Sequence, residues 1–141
     1  MNVHEQIARY ISDLPRSKSE EMLDLHRRIT SMSPDCRLWF LDGRNADGKV
    51  VSNPNIGYGA QMIRYAKGGQ REFYKVGLSA NESGISIYIM GVDDKTYLAE
   101  TYGSRLGKAT ITGYCIRFRT AKGLDAGVLD EIIAEALGVA T

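Results

Sequence analysis

Between Cys36 and Phe118 the apolar residues of this chain tend to recur at every second position, whereas towards both ends they recur at every third or fourth. A period of two belongs to strands and a period near 3.6 to helices. The chain must therefore pack helices from its two ends against strands from its middle. Val3, Ile7, Tyr10, Ile11 and Leu14 share the first helical stripe, which Pro15 stops. Met22, Leu25, Ile29 and Met32 form the second; Ser17, with Glu20 three residues on, makes a capping-box pattern before it, and Pro34 ends it. In the last helix Val128, Leu129, Ile132, Ile133, Ala136 and Leu137 form the apolar face. Each stripe is about one helix face wide, so these helices lie on something apolar rather than stand alone.

The middle reads as strands punctuated by glycine. "RLWFL" and "KVV" flank the turn-rich "DGRNADG", which suggests a hairpin or a strand with a loop. After "SNPNIGYG" come "AQMIRYA", "REFYKVGLSA" and "ISIYIM", separated by "KGGQ" and "NESG", the pattern of an antiparallel meander. "DDKTYLAETYG" suggests a short helix with Asp93 as N-cap and Gly103 as C-cap, and "GYCIRFRT" another strand. The expectation is a two-layer α+β sandwich, its helices packed on one face of a mainly antiparallel sheet. No repeat, low-complexity segment or linker interrupts the chain, so residues 1–141 read as a single domain.

Composition narrows the partners. Lys and Arg number 18 against 17 Asp and Glu, a balance without the positive surplus that drives nucleic-acid binding. No run of about 18 apolar residues exists, so no membrane-spanning helix is expected. The first residues carry apolar side chains at every third or fourth position rather than in one continuous block, together with Glu5 and Arg9, unlike a secretory signal. Cys36 and Cys115 are far apart, with no metal-ligand spacing, and read as reduced thiols in a cytoplasmic protein.

"GSRLGKAT" invites comparison with a phosphate-binding loop and fails it. Only Ser104, Arg105 and Leu106 separate Gly103 from Gly107-Lys108, where such a loop has four residues, and Ala109 stands where Ser or Thr would bind Mg²⁺. The segment also runs from a helical pattern into a strand, the reverse of a phosphate loop. It reads as a helix end and a glycine-rich connection.

Alternation then sorts strand residues onto two faces. Tyr114, Ile116 and Phe118, Ile85, Ile87 and Ile89, and Tyr74, Val76 and Leu78 make an apolar face for the helices. The opposite face mixes Phe73, Lys75, Gly77, Ser86, Tyr88, Met90, Cys115 and Arg117, a composition suited to a small anionic or aromatic ligand. Antiparallel sheets commonly leave one face wet, so a plain solvated face or a homodimer interface are the competing readings. Tyr58, between Gly57 and Gly59, reads either as a ring presented to a ligand or as part of a tight turn. Trp39 reads as core or cleft wall. The candidate ligand-binding set is Tyr58, Lys75, Tyr88, Lys108, Cys115 and Arg117.

Catalytic apparatus is thin. His4 and His26 fall on the first two helices, and His26 borders the apolar stripe as a half-buried side chain. Positive neighbours favour a thiolate, which makes Cys115 beside Arg117 a nucleophile candidate, but no Cys-His pairing follows from the spacing. Whether the chain is an enzyme is left open, leaning against; no catalytic residue, metal ligand or cofactor is assigned.

The order of motifs resembles the YdhG-like family of small bacterial proteins. The likeness is carried by "IARYISDLP", "NPNIGYG", "VGLSANESGISIYIMG" and "YGSRLGKATITGYCIRF", and runs from about Ile7 to Leu137. Leu106, Gly107, Lys108, Gly113 and Cys115 form its most distinctive element. The resemblance implies an α+β sandwich and a cytoplasmic protein, and little chemistry. One branch is described as frataxin-like, acting in intracellular iron delivery; by that analogy Glu20, Glu21 and Asp24 would form an acidic iron-binding ridge. The function expected is therefore a non-enzymatic binding module for a small anionic ligand on the open sheet face, with an iron-binding chaperone as the alternative.

Overall fold

The computed structural model describes residues 1–139. In chain order its elements are helices α1 (Val3–Ser12) and α2 (Arg16–Met32), strands β1 (Leu38–Leu41), β2 (Asn55–Tyr58), β3 (Gln61–Arg64), β4 (Gln70–Phe73), β5 (Val76–Asn81) and β6 (Gly84–Ile89), helix α3 (Tyr97–Tyr102), strands β7 (Thr110–Thr112) and β8 (Cys115–Phe118), and helix α4 (Ala126–Leu137). Six strands form one antiparallel sheet in the order β1-β2-β5-β6-β8-β7, while β3 and β4 make a separate hairpin. Helices pack against the large sheet, giving the α+β sandwich that the two periods require. No helix among the described residues is long and apolar enough to cross a membrane.

Register explains the apolar layer. Phe40, Ile56, Leu78, Ile87, Ile116 and Ile111 pair in one continuous row across all six strands. Ile7 and Ile11 of α1, Met22, Leu25 and Ile29 of α2, and Ile132 and Ile133 of α4 close over that face, all of them buried. Truncating any one of these large side chains to alanine typically costs about 2–5 kcal/mol, so this layer dominates the stability of the domain.

Several local expectations are corrected. The capping box does not form: α2 starts at Arg16, directly after Pro15, and Glu20 pairs back with Arg16 at 3.3 Å. At α3 it is Asp94, not Asp93, whose carboxylate accepts from Thr96, at 2.9 Å from both the backbone N–H and the hydroxyl. Gly103 ends α3 in right-handed conformation. "KVV" contributes no strand, only one bridge between Arg44 and Val50, and "TIT", given no element by the sequence reading, forms β7.

The largest correction concerns the meander. "NIGY" is not a turn but β2, a strand lying between β1 and β5. "REFYKVGLSA" is not one strand: it breaks at Tyr74-Lys75 into β4 of the hairpin and β5 of the large sheet. The break reverses the facing of Tyr74, which leaves the apolar layer and lies on the other side of the sheet, over Gly57 and Gly77. Those two glycines pair directly across β2 and β5. A Cβ at Gly77 would stand 2.7 Å from the Tyr74 ring, and one at Gly57 closer still; only their absence makes the trough.

Seated there, Tyr74 stacks on Phe73 with centroids 4.0 Å apart, and Phe73 meets the edge of Trp39 at 6.2 Å. Gln61 Nε2 donates to Tyr74 O at 3.2 Å and Met90 O at 2.6 Å, which ties the hairpin to β6. We expect Gly77→Ala to destabilise the domain by about 1–3 kcal/mol, the usual range for overpacking. In a Tyr74→Ala background the same substitution should lose most of that effect, because the ring it meets is gone. A denaturant double-mutant cycle measures the difference; an unchanged cost would remove Tyr74 as the cause.

Candidate functional site

The rings of Tyr74 and Phe73 cover the second face of the sheet at Gly57, Gly77 and Trp39, while β8 and β7 present exposed side chains on that face. Two rows of side chains cross this open half. One runs Gly77, Tyr88, Cys115, Thr112 and the other Ser79, Ser86, Arg117, Thr110, each paired directly with the next. Tyr88 and Cys115 are half-buried, Arg117, Thr110 and Thr112 exposed, and Ser86 buried. Burial holds the Tyr88 phenol above its ordinary range, and Cys115 beside it adds to the effect. Tyr88 is therefore a protonated hydroxyl donor at neutral pH. The Tyr74 phenol is also raised, by burial first and by Tyr88 next, which puts a second protonated hydroxyl at the margin of the open half.

Arg117 stands at the centre of this surface. Among the described residues no carboxylate lies within ion-pair distance of Arg117 or of Arg119, whereas Arg16, Arg28, Arg37 and Arg105 each have one. Where β8 meets the β5–β6 turn, Arg117, Arg119, Thr110, Ser83 and Asn81 line a polar cavity of about 190 Å³.

Of the six residues expected to bind ligand, three come together here: Tyr88, Cys115 and Arg117. Three do not. Tyr58 faces the helices, fully buried, and its hydroxyl lies 2.7 Å from His26 Nδ1. Lys75 turns toward the end of α4, where its Nζ donates to Leu137 O at 3.3 Å. A cation there meets the negative end of the helix and one of its last carbonyls. Lys108 precedes β7, with its backbone N–H bonded to Gly123 O at 2.9 Å and its stem against Gly123. Sequence reasoning missed Tyr74, Thr110 and Arg119. Arg119 was visible as the next residue on the face of Cys115 and Arg117; Tyr74 was hidden by the break in its strand.

The same sheet separates the reactive groups. His26 sits on α2 under the helix face and His4 on α1, while Cys115 lies on the opposite face. No imidazole reaches the thiol, so the nucleophile candidate lacks a base. Trp39 is half-buried: its Nε1 donates to Gly59 O at 2.8 Å, and Arg37 stacks 3.9 Å from its ring centroid.

Two of the three carboxylates named by the iron analogy have other work. Glu20 pairs with Arg16, and Glu21 accepts from Thr120 Oγ1 at 2.8 Å and Ala121 N at 2.7 Å. Among the described residues no three His, Cys, Asp or Glu side chains converge on a point that could hold a metal ion.

Comparisons with models of protein families, with curated proteins and with solved structures find no match for this chain.

The His26–Tyr58 pair has a pH consequence. Burial is the main cause that lowers the pKa of His26, with positive charge at His4 and Arg27 adding to it. Burial likewise keeps Tyr58 protonated, so a neutral phenol and a neutral imidazole share this hydrogen bond. The unfolded chain protonates this histidine near its ordinary pKa of about 6.5, where the folded chain resists. Stability contributed here is complete above that pH and falls as pH drops through it toward the lowered folded value. We expect the urea midpoint to fall between about pH 7.5 and about pH 5.5, and His26→Gln to flatten that fall. An equal fall in the variant would assign it to other groups.

Proposed function

We propose that this chain is a YdhG-like, non-enzymatic binding module that takes a small anionic ligand on the open half of its sheet. The observation that carries this reading is Arg117, a cation without a carboxylate partner among the described residues, set between Ser86 and Thr110 on the exposed rows of β6, β8 and β7. Its guanidinium offers a planar fork of donors that matches an oxyanion. Tyr88 adds a protonated hydroxyl and a ring wall, and Cys115 a small polarisable floor between them. Binding is favoured over catalysis because the thiol and the histidines lie on opposite faces of the sheet.

Titration of the full chain with malonate, followed by amide NMR, tests this. Shifts should concentrate at Tyr88, Cys115 and Arg117, and Arg117→Glu should abolish them while leaving the thermal unfolding curve nearly unchanged. Saturable shifts that survive Arg117→Glu would overturn the assignment. Lys75→Glu separates the two roles that the sequence had merged. It should leave malonate binding intact and lower stability by about 1 kcal/mol, because it places a carboxylate against the negative end of α4.

A further inference from the structure

At the end of the open face, where β8 passes the turn between β5 and β6, the donors are divided into those already matched and those left over. Asn81 Oδ1 accepts from Ser83 N at 3.0 Å and Ser83 Oγ at 2.8 Å, and Asn81 Nδ2 donates to Ser86 Oγ at 3.3 Å. Lys18 reaches over from α2 and donates to Asn81 O, which fastens the turn from outside. The side chains of Asn81 and Ser83 are thus committed to the geometry of the turn, and Glu82 between them is exposed. Three groups lining the cavity remain without a protein partner among the described residues: the guanidiniums of Arg117 and Arg119 and the hydroxyl of Thr110.

Their placement selects among anions. Arg117 and Arg119 are alternate residues, so their Cα atoms stand roughly 6.6 Å apart along one face, well within the reach of two long side chains for a single guest. Thr110 is paired directly with Arg117 from the neighbouring strand, so donors approach from two strands. One carboxylate has two coplanar oxygens and is satisfied by a single guanidinium fork. It would leave the second cation and the hydroxyl unmatched. A phosphate monoester carries between one and a half and two negative charges at neutral pH and three outward oxygens. That matches two cations and a third donor set apart from them.

Building on the anion-binding reading of this face, we propose that the cavity takes the phosphate group of a small phosphate ester. The volume of about 190 Å³ holds a phosphate head but no nucleobase and sugar beside it. The organic part of the ester therefore extends along the open face, over Tyr88 and Cys115.

Calorimetric titration of the full chain with inorganic phosphate, malonate and acetate at constant ionic strength tests the proposal. Phosphate should bind at least about tenfold more tightly than acetate, the equivalent of one added charge-assisted hydrogen bond. Arg119→Gln and Thr110→Val should each weaken phosphate by several fold, and Arg64→Gln, on the β3–β4 hairpin, should not. If Arg119→Gln fails to fold, Arg119→Lys keeps the charge and removes the fork, and should still weaken phosphate. Phosphate binding no tighter than acetate, or unaffected by both Arg119 and Thr110, overturns the proposal. Malonate binding that depends on Arg117 would then leave the broader anion-binding reading standing. Absence of binding by all three anions removes both.

Discussion

Everything on the second face of this protein follows from the seat of one ring. Tyr74 lies flat where Gly57 and Gly77 withhold their side chains, and burial of a phenol of that size is worth several kcal/mol at about 25 cal/mol per Å² of apolar surface. Phe73 stacks behind it and Trp39 closes the edge. The β3–β4 hairpin pairs with no strand of the large sheet among the described residues, and the rings of Phe73 and Tyr74 at its end anchor it to Trp39, Gly57 and Gly77. That part of the face becomes interior. The part over β8 and β7 stays wet, and that is where the unmatched cations stand.

A sheet is also an insulator. Its two faces are separated by a full layer of backbone, so groups close in the chain can be remote in chemistry. Lys75 and Tyr74 are neighbours in sequence, yet one caps α4 and the other fills the trough on the opposite side. Tyr58 and His26 form a closed polar pair within the helix layer, while Cys115 and Arg117 face solvent. This separation denies the thiol a base and leaves the arginines free of carboxylates. The same arrangement gives the molecule two separate polar regions, one closed around His26 and Tyr58 and one exposed around Arg117.

Much of this could be read before any coordinates. The stripes of α1, α2 and α4 are legible because a 3.6-residue period is a local property of the chain. The faces of β6 and β8 are legible because each runs far enough for alternation to show, and Cys115, Arg117 and Tyr88 fell on the expected side. Tyr74 and Lys75 did not, because a break of one or two residues inverts the parity of a strand, and "REFYKVGLSA" carries no proline and no glycine at the break itself, its one glycine, Gly77, lying within β5. Gly57 misled for a different reason. Its signature is that of a turn, but its need for glycine comes from a ring contributed by residue 74, which no local pattern reveals.

The sequence by itself determined the layers in outline: the helices α1, α2 and α4, the strands β6 and β8, and the apolar residues of each that must face the core, since burying apolar surface at a fixed period leaves few alternatives. Only the tertiary structure decided the site. Whether Tyr58 meets ligand or a histidine, whether Lys75 meets an anion or a helix end, and which half of the sheet is open depend on contacts between residues distant along the chain. Such contacts are set by packing volume and by unpaired donors finding acceptors, and neither quantity is written in the order of neighbours.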